Sequence, residues 1–124
     1  MQARRQALFD YEIALSIFIP SLGDRHVDVA STYNNIGLVY TELGNFEKAL
    51  EYFEKDLAIT KAALGGDHVS VANTKYNIAL LYRRQGNTIH WQARNLFHEA
   101  AAVYTAVYGA NHSETIDALD QAKK

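Results

Sequence analysis

The chain has 124 residues, with 12 Lys and Arg against 14 Asp and Glu, a formal net charge of -2 and no cysteine. That length can bury one continuous core without staples, while the missing cysteines exclude disulfides and thiolate metal sites and favour a reducing compartment, which makes a cytoplasmic location the expectation. Near-balanced charge gives no electrostatic reason to expect nucleic acid or a membrane surface as partner, and no uncharged apolar run approaches the roughly 20 residues that a bilayer span needs.

One proline and seven glycines make long helices the default. Residues 3–21 read as the first of them, with Ala7, Leu8, Tyr11 and Leu15 at helical spacing; Pro20 lacks an N–H and is expected to fray or kink its last turn. Leu22-Gly23-Asp24-Arg25-His26 follows, and it recurs as Leu64-Gly65-Gly66-Asp67-His68 and as Tyr108-Gly109-Ala110-Asn111-His112, at offsets of 42 and 44 residues. Such a period is the signature of a repeat architecture.

Within residues 27–65, Ala30, Tyr33, Ile36, Gly37 and Tyr40 fall three or four apart on one stripe of a helix, and Gly44-Asn45 supplies a stop and a turn. A second helix places Phe46, Ala49, Leu50, Phe53 and Leu57 on one face and stops near Gly65. Glycine inside a helix costs about 1 kcal/mol relative to alanine. Gly37 therefore implies close approach of the two helices, with Ala49 as the expected small residue opposite it.

Residues 69–109 repeat the hairpin: Val71-Ala72-Asn73-Thr74-Lys75-Tyr76-Asn77-Ile78-Ala79 lines up with residues 29–37, Tyr82 with Tyr40, and Gly86-Asn87 with Gly44-Asn45. Two residues are inserted after Asn87, beside Trp91, which reads as an aromatic plug for the altered turn; Ala93 and Phe97 then answer Ala49 and Phe53. Residues 113–124 open a further unit, and residues 3–21 match a second helix, so each end is a partial repeat.

Tyr33-x-x-Ile36-Gly37-x-x-Tyr40 followed by Ala49 and Phe53 resembles the tetratricopeptide signature, whose usual repeat is about 34 residues. The longer period, the Leu-Gly-x-x-His linker and Thr32-x-Asn34-Asn35-Ile36-Gly37 resemble the subclass found in kinesin light chains and nephrocystin-like proteins. Three features depart from that pattern: Val27, Val69 and Ser113 replace the usual linker proline, Asp56 stands where a small residue is normal, and Lys75 where an aromatic or leucine is normal. The resemblance implies an all-α fold, a right-handed α-solenoid of stacked antiparallel helical hairpins with two full repeats flanked by partial ones.

It also implies a protein-binding scaffold whose first helices line a concave groove. Asn34, Leu38 and Thr41 in one unit and Tyr76, Leu80, Arg83 and Arg84 in the next are the groove positions, with the asparagine holding a ligand backbone as in kinesin light chain-like repeats. From His68 to His98 there is no Asp or Glu, whereas Lys75, Arg83, Arg84 and Arg94 are present, so an acidic peptide is the expected ligand. The alternative is assembly: Ala7, Tyr11, Ala14 and Phe18 face a helix that residues 1–124 do not contain, which favours a homodimer or docking on the rest of a longer chain. His26, His68 and His112 lie a whole repeat apart, too far to share a zinc ion whose ligand nitrogens sit within about 4 Å of one another. No metal or cofactor is expected, and no nucleophile, phosphate loop or isolated carboxylate pair suggests catalysis.

Overall fold

The computed structural model describes residues 2–86 and 90–124. The predicted turn residue Asn87 and the two-residue insertion after it lie outside them. The described residues form α1 (Gln2–Leu22), α2 (Val27–Glu42), α3 (Phe46–Leu64), α4 (Val69–Gln85), α5 (His90–Tyr108) and α6 (Ser113–Lys123), with no strand among them. They fall into two compact units, Met1–Ala63 and Leu64–Lys124. Pro20 does not shorten α1: the helix runs on to Leu22, and the Gly23 N–H donates to the Ile19 carbonyl at 3.0 Å.

One joint is used three times. Gly23, Gly65 and Gly109 each take a positive φ of 91–95°, which a Cβ would disfavour, and so reverse the chain at a helix end. Three residues later His26, His68 and His112 cap α2, α4 and α6. Each ring accepts at Nδ1 from a backbone N–H two residues on, from Asp28 and Ser70 at 3.0 Å and from Glu114 at 3.1 Å. The imidazole thus does the work usually given to a serine or aspartate side chain, satisfying one of the amides left open at a helix start. Replacing His68 by alanine is expected to cost about 1 kcal/mol, and His68→Asn, which keeps an acceptor near the same place, to recover most of it. Thermal melts of the two variants decide this; an asparagine as damaging as the alanine would show that the ring matters for packing rather than for its nitrogen.

The first unit is held by Val29, Ala30 and Ile59, with Leu15, Phe18, Ile19 and Tyr33 packed against them. Phe53 is fully buried beside Gly37. The close approach at Gly37 is real, but the group opposite is aromatic: a Cβ there would stand 2.6 Å from Cε1 of Phe53 and 2.7 Å from Cδ1. Gly37 makes room for a ring rather than for Ala49. The second unit has two clusters, Ala72, Ala100, Ala101, Tyr104 and Ala118 in one, and Ala79, Ala93, Phe97 and Ala122 in the other. Alanine is thus the commonest core residue there, and short side chains let helices pack near the low end of the usual interaxial range.

Candidate ligand-binding faces

On α2 the three predicted groove residues have different fates. Leu38 is 41% exposed, as a contact residue should be. Asn34 is half-buried, and its Nδ2 donates to Oδ2 of Asp56 at 3.0 Å. Asp56 itself is buried and also accepts from the Thr60 hydroxyl at 2.7 Å, so the residue that looked out of place is the anchor that orients the Asn34 amide. Thr41 is only 8% exposed, and its hydroxyl donates to the Gly37 carbonyl at 2.9 Å. It offers no polar group to a ligand. At about 100° per residue it lies some 60° round the helix from Leu38, on the core side.

On α4 the predicted residues converge on one ring. Tyr76 meets Phe97 edge to face, with centroids 5.3 Å apart, and half-buried Leu80 packs on the same cluster. Arg83 lies with its guanidinium carbon 4.7 Å from the Phe97 centroid. Its Nη1 donates to Oε1 of Gln121 at 2.7 Å and its Nη2 to the Gln121 carbonyl at 2.8 Å. The guanidinium is therefore fixed by neutral acceptors and an aromatic face, and among the described residues it makes no ion pair. The hydroxyl of Tyr76 donates to Asp117 of α6. Burial, then the bond to the Asp117 carboxylate and its charge, push the Tyr76 phenol up to about 12, so it remains a neutral donor. Arg84, one residue on, is exposed.

Sequence reasoning missed the partners on α6, Asp117 and Gln121. They stand four apart and share one helix face, which was readable, but nothing in the linear order pairs them with residues about forty positions earlier. Lys75, counted with the basic bias, is not available either: its ammonium lies 3.3 Å from Glu99, and its side chain is 19% exposed. Trp91 is 63% exposed; the turn it was expected to plug lies outside the described residues.

The tetratricopeptide repeat profile matches residues 4–62, 28–89 and 71–114, nearly the whole chain. The chain belongs to the tetratricopeptide repeat family. Among solved structures, the crystal structure of BtubC (BKLC) from P. vanneervenii superposes with a TM-score of 0.62 at 24% identity, which shows a common all-α fold of helical hairpins. The match covers 94% of this chain and 54% of that one, so the chain spans about half the length of its structural neighbour. No curated protein matches it. Tetratricopeptide repeats generally mediate protein–protein interaction and are typically non-enzymatic adaptors. No helix among the described residues is long and apolar enough to cross a membrane.

Helix α1 covers the residues 3–21 whose apolar positions line up in sequence with those of α3. Its predicted open face is only partly open: Ala7, Tyr11, Ala14 and Phe18 are half-buried, and Phe18 leans with Leu15 and Ile19 onto the Val29 and Ala30 cluster of α2. The most exposed apolar side chains on α1 are instead Phe9 at 58%, Ile17 at 57% and Ile13 at 45%, spaced four apart on one face.

Proposed function

We propose that the chain is a protein-binding adaptor that takes up an extended, acidic peptide segment on the α4 face of its second unit, with Arg83 as the anchor. The observation that carries this reading is the state of Arg83: the side chain is held by Gln121 and by the Phe97 ring, yet no carboxylate pairs with its charge among the described residues. Two of its N–H groups are used, and the fork keeps others for a ligand carboxylate. Immobilising a long side chain on binding costs about 0.5–1.5 kcal/mol, and here folding has already met that cost. Tyr76 and Leu80 add apolar surface around the same ring, and Arg84 adds charge from the exposed side of the same turn. On the first unit, Leu38 and the Asp56-oriented Asn34 amide are the corresponding contacts, Asn34 being the one toward a peptide backbone; Thr41 drops out.

Calorimetric titration with an extended peptide carrying several glutamates, and with its glutamine counterpart, tests the reading. The acidic peptide is expected to bind more tightly, and Arg83→Gln to weaken it about tenfold, the value of one charge-assisted pair. Equal affinity for both peptides, or an Arg83→Gln variant that binds as well as the parent, would remove the anchor.

A further inference from the structure

A cleft of about 550 Å³ lies in the first unit between the Asp24-Arg25 joint, α2 and the second half of α3. That volume falls in the range of sites that hold small molecules. Its most covered lining residues are Ile59, 9% exposed, and half-buried Tyr33. Ala58 and Ala62 line it from α3, and both are exposed, so only methyl groups occupy that side. The lining residues fall between positions 24 and 63, within helices and a joint that are complete in the structure.

Two cations stand on this apolar lining. The Lys55 ammonium lies 5.4 Å from the Tyr33 centroid and 5.1 Å from that of Tyr52, two rings that are themselves 5.7 Å apart, so the side chain is fixed before any ligand arrives. It reaches the Glu51 carboxylate only at 3.9 Å, with both side chains about half exposed, which makes a weak, screened pair and leaves other N–H groups of the ammonium to donate. Arg25 is exposed and, among the described residues, makes no ion pair. The second unit carries different chemistry at the same positions: Asp67 answers Arg25, Lys75 answers Tyr33 and Glu99 answers Lys55, and Lys75 and Glu99 pair with each other at 3.3 Å. There the opposite charges neutralise one another; in the first unit both cations border an apolar hollow.

We propose that this cleft binds a small organic monoanion, a carboxylic acid with an aromatic or branched apolar body, whose carboxylate is held by Arg25 and Lys55 while the body covers Tyr33, Ile59 and the two alanines. Two cations against one lining carboxylate select a ligand of net negative charge, and the presence of Asp24 disfavours one that carries two or more charges. The apolar body displaces water from the Ile59 and Tyr33 surface, which a bare inorganic anion cannot do. The site shares no residue with the acidic-peptide face and stands apart from that reading.

Titration of the 124-residue chain with 4-phenylbutyrate, followed by the methyl resonances of Ala58, Ile59 and Ala62, is the test. The acid is expected to shift those methyls with about millimolar affinity, and the neutral amide of the same acid and inorganic phosphate to bind at least tenfold more weakly. The double variant Arg25→Gln/Lys55→Gln should weaken the acid about tenfold, the sum of two solvent-facing charge pairs. Ala62→Leu should weaken it by a similar factor by filling the hollow, at an exposed helical position where leucine is well tolerated; if circular dichroism reports a lost fold, Ala58→Leu replaces it. Arg83→Gln, in the other unit, should change nothing. A short peptide ending in phenylalanine, with its terminal carboxyl free or amidated, separates two sources of this chemistry: a free-ended peptide that binds tighter than the small acid makes a chain end the ligand, and one that binds more weakly makes it the free acid. Methyl resonances that do not move, an amide that binds as tightly as the acid, or an Ala62→Leu chain that binds as the parent does would each overturn the proposal.

Discussion

Phe97→Ala is expected to lower stability by about 3–5 kcal/mol, the largest loss of any single substitution in the second unit. Phe97 is fully exposed to its neighbours and not at all to solvent, and three of those neighbours are Ala79, Ala93 and Ala122. Alanine has no rotamers with which to fill a vacated ring, so the cavity stays open and the loss falls toward the upper end of the range. The damage reaches the ligand face as well, because Tyr76 meets that ring edge-on and Arg83 lies across it. Urea unfolding followed by circular dichroism measures the stability, and peptide titration of the variant under folding conditions measures the face. A loss below about 1 kcal/mol would mean that the alanine-lined pocket collapses, and would contradict the packing described for α4, α5 and α6.

The second large effect belongs to Gly37. A leucine there is expected to cost about 3 kcal/mol or more, since even its first carbon would fall 2.6 Å from a Phe53 ring that is buried and has nowhere to go. Gly37→Ala is the instructive companion. It gains about 1 kcal/mol of helix propensity and meets an overpacking cost of about 1–3 kcal/mol, so the net change is small and unfavourable. The second unit solves the same contact the other way, with Ala79 beside Phe97, so the spacing between paired helices is a property of each hairpin and not of the repeat. A Gly37→Leu variant melting within a few degrees of the parent would show that Phe53 has freedom its burial does not suggest.

What could be read in the linear order was whatever the chain says more than once. Gly-x-x-His recurs three times, and with it came the hairpins and the joints before α2, α4 and α6; that each histidine ring itself caps a helix was not read from it. Single occurrences were harder, because their meaning lies in a partner far along the chain. Asp56 looked like a defect, and only its bonds to Asn34 and Thr60 turn it into a support. Lys75 looked like free positive charge until Glu99 was found beside it. Thr41 was placed with Asn34 because seven residues make nearly two turns, but the remaining drift of about 20° is enough to carry a side chain from the rim to the core. On α1, helical spacing found the half-buried positions; the exposed trio of Phe9, Ile13 and Ile17 follows from which side α2 covers, a fact about packing.

The threefold use of a left-handed glycine followed by a histidine cap also bears on how such a chain changes its length. Each junction ends one helix and begins the next with bonds confined to a few neighbouring residues, as from the Ser70 N–H to the His68 ring and from the His68 N–H to the Gly65 carbonyl. A segment cut from one junction to the next therefore carries its own start and stop wherever it is spliced. Duplication or loss of a whole unit leaves these capping and turn bonds intact at the seam.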